Sequence, residues 1–205
     1  KESHPGYLAA IDSSMLDDLE KLHFTGVYTV VYYNLHKIMC GLLDAWLLLK
    51  DALALDVVEK MADYIEWRLS RLTPERMEGM IETRWYRENS TAFHMEFGGM
   101  HEVLLRLYEA TEEERYLTLA QKFDRKWFRD MLSGDRDLLG HYALHANTEI
   151  PCVIGLAEYQ DIFSDEESAA CVDNFMKWLR EGHMLPTGGV SGRPAYPSPS
   201  DYGGE

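Results

Sequence analysis

The chain has 205 residues, enough for a real hydrophobic core, and 46% of them are hydrophobic, which excludes a disordered chain. Thirty-five acidic residues stand against 20 basic ones, a formal charge of −15. Such a surface repels nucleic acid and anionic lipid and is compatible with a neutral ligand such as a sugar. The longest apolar stretch, Val27 to Tyr33 apart from Thr29, falls far below the roughly 18 residues of a membrane helix. No nucleic-acid or membrane partner is expected.

In chain order, Val27 to Tyr33 is the one strand-like segment. Gly41, Gly99 and Gly155 recur 58 and 56 residues apart, and each opens a Gly-x-x-acid unit ending in Asp44, Glu102 or Glu158. Each unit then continues at helical spacing and closes in an aromatic-rich amphipathic stretch. These are expected helical hairpins near 41–72, 99–132 and 155–185. In the second unit Leu104, Leu107 and Tyr108 share one face, and a second helix carries Tyr116, Leu119, Phe123 and Trp127. Capping boxes are expected at Thr111-x-x-Glu114 and Ser164-x-x-Glu167, and Thr73-Pro74 starts a further helix.

Tandem hairpins build either an open solenoid or a closed α/α toroid. A period near 57 residues is long for a solenoid and leaves connections of about 15–20 residues, where enzymes place their chemistry. The expected fold is therefore all-α, an (α/α)6-type toroid of which residues 1–185 make about half the ring. Its cut hairpins would expose apolar surface, to be covered by the missing half of the ring or by a second copy. Residues 186–205, with four of the seven prolines, read as a Pro/Gly-rich loop or tail.

Polar chemistry is concentrated in the connections: Tyr32 to Lys37, Phe93 to Gly98 and His145 to Glu149. His36 and His94 each fall five residues before a repeat glycine. Repeat phase then directs His36, His94, Glu96, His145 and Asn147 toward one polar, aromatic-lined hollow of the kind that binds a sugar. The alternatives are ordinary structural histidines and an Asn147 or Thr148 that caps the next helix, with Pro151 in its first turn. No HExxH or CxxC occurs, so no metal site is assigned within these residues. Cys40 and Cys152, in apolar runs, read as buried inert thiols.

Several of these segments together resemble glycoside hydrolase family 127, the β-L-arabinofuranosidases. The resemblance rests on Gly6-Tyr7-Leu8, Tyr33-x-Leu35-His36-Lys37-Ile38 and Glu96-Phe97-Gly98-Gly99-Met100-x-Glu102. It rests also on Tyr116-Leu117-x-Leu119-Ala120, His145-Ala146-Asn147-Thr148-x-Ile150-Pro151 and Thr187-Gly188-Gly189. It implies an (α/α)6 catalytic domain and retaining hydrolysis of β-L-arabinofuranosides or related plant-derived sugars. It also implies a zinc-held cysteine nucleophile whose ligands lie beyond these residues. A glutamate after Thr-Gly-Gly, here Glu205, is implied as acid/base. Tyr33, His36, His94, Glu96, His145 and Asn147 are the candidate substrate contacts. Without the nucleophile the polypeptide is expected to be inactive alone. A non-catalytic carbohydrate-binding relative, an epimerase-type toroid enzyme and a protein-interaction solenoid are the competing readings.

Overall fold

The computed structural model describes residues 4–23, 30–82, 97–139 and 146–190. All regular structure among the described residues is helical, as the all-α reading requires. The chain divides into two compact units, Lys1–Asp124 and Arg125–Glu205. Among the described residues, no helix is long and apolar enough to cross a membrane.

The first unit contains α1 (Ser14–Glu20), α2 (Val31–Leu49), α3 (Ala52–Leu69), α4 (Pro74–Ile81), α5 (Met100–Thr111) and α6 (Glu114–Gln121). Val31, Leu35, Met39 and Leu43 recur every fourth residue and are fully buried, so one stripe of α2 faces the core. Burying each such side chain contributes about 1.5–3 kcal/mol. That burial explains why Val31 to Tyr33, at the end of the expected strand, is helical instead. The β-branched preference yields to a stripe that only 3.6-residue periodicity buries.

α2 and α3 form a hairpin, and α5 packs beside α2. His36 meets Gly98 and Gly99 at the start of α5, and Asp44 meets Arg106 two turns further along both helices. The two helices therefore run in the same direction, as the first helices of successive hairpins must. Tyr32, Phe97 and Phe123 pack as an aromatic trio beside this seam, with ring centroids 5.3–5.9 Å apart. Across the unit, buried Arg68 of α3 binds Asp17 and Glu20 of α1 and the Tyr64 hydroxyl. Thr73 caps α4 by accepting from the Arg76 N–H, with Pro74 in the first turn as expected.

The second unit contains α7 (Lys126–Leu132), α8 (Ala146–Phe163) and α9 (Glu166–Trp178), followed by a π-helical turn at Leu179–His183. Its core is Phe128, Leu132, Val153, Leu156, Cys171, Phe175 and Trp178. The Arg125–Glu149 pair, 3.1 Å apart, is also buried in this unit. The second helix expected through Tyr116 and Trp127 is broken: α6 ends at Gln121, and Arg125 leaves helical geometry where its side chain turns to Glu149. Asn147 and Thr148 lie inside α8, not at its cap.

The hairpin turns share one backbone device. Lys50, Glu112 and Ser164 take left-handed conformations with φ near +56 to +59°, and each is followed by an acidic N-cap residue in extended geometry. Asp51 accepts the Leu53 and Ala54 N–H groups, and Asp165 accepts that of Ser168. This displaces both expected capping boxes. Thr111 ends α5 and donates to Leu107 O, while Ser164 becomes the reversal residue and Asp165 the cap. At the tip of the first hairpin Leu48, Leu49 and Leu53 are exposed.

Candidate functional site

The unusual chemistry of the first unit lies along the α2–α5 seam. His36 and Cys40 are four residues apart, so they share one face of α2. Glu102 reaches them from the first turn of α5. Cys40 Sγ is 3.0 Å from His36 Nε2, and Glu102 Oε2 is 3.5 Å from the same nitrogen. The imidazole is buried, and its Nδ1 has no hydrogen-bond partner among the described residues. Glu102 and Cys40 are less buried and open the cluster outward.

Two glycines make room for the ring. Gly98 has φ +57°, and a Cβ there would lie 2.9 Å from His36 Nδ1. A Cβ on Gly99 would lie 2.6 Å from both His36 Nε2 and Glu102 Oε2. The Gly-Gly pair therefore serves two purposes, a left-handed turn at Gly98 and the admission of a histidine at Gly99.

Arg106 extends the row. Its Nη2 donates to Asp44 Oδ1 at 2.6 Å, and its Nη1 lies 3.6 Å from Glu102 Oε1. The acids that open the first two repeats thus meet on one guanidinium. Burial raises the Glu102 carboxyl, but His36, Arg106 and Lys37 outweigh it and hold it below the usual carboxylate range. Burial pushes the Cys40 thiol up to about 12, with Glu102 adding to the rise. Tyr33, one turn before His36, packs beside Gly98 and has the Lys37 ammonium 5.0 Å from its ring centroid.

Tyr33 and His36 lie one turn apart on α2, inside the helix and not in a connection. Asn147 is exposed on α8 of the second unit. His94, Glu96, His145 and Glu205 lie outside the described residues. Thr187-Gly188-Gly189 forms a tight turn closed by hydrogen bonds between Leu185 and Gly188–Gly189, with Gly188 at φ +85°. Sequence reasoning missed Cys40, Asp44, Glu102 and Arg106 as members of the site. The acid shared by the repeats was the available signal for two of them.

Away from this seam, a hollow of about 660 Å³ is lined by Tyr7, Glu20, Tyr64, Trp67, Arg68 and Arg71 among others. Arg71 stacks on Trp67 at 4.4 Å. Tyr7 belongs to the first resemblance motif, and Gly6 beside it has φ +109° and packs against the Lys60 carbonyl.

A zinc-held thiolate of the kind the resemblance implies needs several cysteines together. Cys40, Cys152 and Cys171 stand on three different helices and form no disulfide. One group of three ligand atoms occurs among the described residues, and it contains a single cysteine. These residues do not form a cysteine-rich zinc set.

No curated protein matches the chain. A family model described as "Beta-L-arabinofuranosidase, GH127 catalytic domain" matches residues 2–203. With that match spanning nearly every residue, and with Tyr33, His36, Gly98, Gly99 and Glu102 of the resemblance motifs gathered at one seam, the chain belongs to the family of β-L-arabinofuranosidase GH127 catalytic domains, which are glycoside hydrolases.

Proposed function

We propose that the chain serves retaining hydrolysis of β-L-arabinofuranosides or related plant-derived sugars, and that its α2–α5 seam supplies part of the sugar-binding wall. The family match over residues 2–203 carries this reading. The local chemistry supports it: Asp44, Arg106 and Glu102 offer charged hydrogen-bonding groups, and Tyr33 offers an aromatic face. His36 lies below this surface and holds Glu102 in place.

Glu205 is the proposed acid/base. In retaining hydrolysis such a carboxylic acid first protonates the departing glycosidic oxygen and then, as carboxylate, takes a proton from water. His94, Glu96, His145 and Asn147 are the further proposed sugar contacts. The nucleophile is not assigned to Cys40, Cys152 or Cys171, so these 205 residues by themselves are expected to bind the sugar without turning it over.

Calorimetric titration with a β-L-arabinofuranoside, paired with a turnover assay on its aryl glycoside, tests the reading. Binding that weakens in Tyr33→Ala and Arg106→Ala is the expected result. A folded chain with no affinity for any arabinofuranoside overturns the carbohydrate assignment, and turnover by this chain overturns its inactivity. In a form of the protein that does turn over, Glu205→Gln is expected to slow hydrolysis about 10²–10⁴-fold.

A further inference from the structure

We propose that His36, Cys40 and Glu102 bind one divalent transition-metal ion of the zinc type, clipping α2 to α5. The ligand atoms, an imidazole nitrogen, a sulfur and a carboxylate oxygen, lie within 4.8 Å of one another. That is a zinc donor set, and it is separate from the cysteine-rich set implied for the family's catalytic zinc.

The geometry suits an ion. Two ligands about 2.0–2.2 Å from a tetrahedral centre stand roughly 3.3–3.6 Å apart. His36 Nε2 and Glu102 Oε2 are 3.5 Å apart. Gly99 lets both atoms close up against its backbone, since a Cβ there would lie 2.6 Å from each. Spacing of i and i+4 puts His36 and Cys40 on one face, and the parallel α5 supplies the third ligand.

Proton counting points the same way. With the imidazole hydrogen on Nδ1, three lone-pair atoms converge and only the thiol hydrogen lies between them. A cation engages all three at once. On binding, the Cys40 S–H bond breaks, its proton leaves to solvent, and a metal–sulfur bond forms. No electrons are transferred. The outer contacts suit a ligand carboxylate: Oε1 of Glu102 faces Arg106, which Asp44 fixes in turn. Cys40 and Glu102 are partly exposed, so the fourth position opens to water or a ligand.

The test uses the whole chain, reduced and stripped with chelator, and titrated with Co²⁺ and Zn²⁺. One Co²⁺ per chain is expected, with a thiolate-to-cobalt charge-transfer band that Cys40→Ser abolishes and Cys152→Ser keeps. Arg106→Met, which loosens the positioning of Glu102, is expected to weaken metal affinity about 10–100-fold. Stoichiometric Zn²⁺ is expected to shield Cys40, but not Cys152, from iodoacetamide, as read by peptide mass. A folded chain that gives no such band, or a band that survives Cys40→Ser, overturns the proposal. If Cys40→Ser fails to fold, the alkylation of the unmodified chain decides: equal Cys40 labelling with and without Zn²⁺ rejects the site.

Discussion

Replacing Gly99 by alanine adds one methyl group at the most crowded point of the α2–α5 seam. The new carbon would stand 2.6 Å from Glu102 Oε2, 2.6 Å from His36 Nε2 and 2.9 Å from His36 Cε1. Comfortable non-bonded contacts begin near 3.5 Å, so the shortfall is about 1 Å. Glu102 can swing away at little cost because it is the end of a flexible side chain. The imidazole cannot, because the adjacent Gly98 already brings backbone close to Nδ1 and Cys40 holds Nε2. Backbone strain is absent, since Gly99 sits at φ −90°. The cost is therefore overpacking, about 1–3 kcal/mol. Gly41, the equivalent glycine of the first repeat, is the internal control: it lies inside α2, and an added Cβ meets nothing within 4 Å. Gly41→Ala is expected to stabilise by about 0.5–1 kcal/mol through lower unfolded-state entropy and better helix propensity. Urea denaturation followed by far-UV circular dichroism at neutral pH measures both. If Gly99→Ala is as stable as the parent, or if Gly41→Ala is the more damaging of the two, the account of the seam is wrong.

Arg68→Met leaves Asp17 and Glu20 without their buried cation and is expected to cost about 3–5 kcal/mol. Adding Asp17→Asn and Glu20→Gln should recover much of that loss in the same denaturation assay, and no recovery would refute the electrostatic explanation. In chelator-treated protein at mildly alkaline pH, Cys40 is expected to alkylate about a thousandfold more slowly than in the unfolded chain, because its thiol is pushed from 9.0 up to about 12. Equal rates in folded and unfolded chains would contradict that burial effect. The stabilising contribution of Glu102 should depend on pH, because its folded-state value is depressed below the ordinary 4.5. A depressed carboxyl contributes fully above the unfolded value and loses its contribution as pH falls through the folded one. The stability gap between parent and Glu102→Gln should therefore be constant at neutral pH and narrow once the pH drops below 4.5. A gap that does not change with acidification would remove the His36 and Arg106 interactions from the explanation.

The hairpin turns separate what a sequence carries from what folding adds. Apolar periodicity marks α3, α5 and α9 plainly, because a buried stripe leaves its spacing in the residue order. Thr73-Pro74 marks the start of α4 for an equally local reason. The reversal residues Lys50, Glu112 and Ser164 carry no such mark. Glycine is the usual occupant of a left-handed turn, and here charged and hydroxyl side chains take the conformation because the packed helices on either side require it. The break before Arg125 is hidden in the same way, since Arg125 pairs there with a carboxylate 24 residues away.

By itself the sequence determined an all-α chain of repeated hairpins and its family. Those properties follow from local periodicity and from short motifs read along the chain. The polar connection expected over Tyr32 to Lys37 is instead the first turns of α2, because burial of the Val31, Leu35 and Met39 stripe extends the helix through it. Only the tertiary structure decided that His36 is buried against Cys40 and Glu102, and that the acids of two repeats, Asp44 and Glu102, share Arg106. Residues 62 positions apart become neighbours only when parallel helices set their registers together, and no spacing within one helix encodes that meeting.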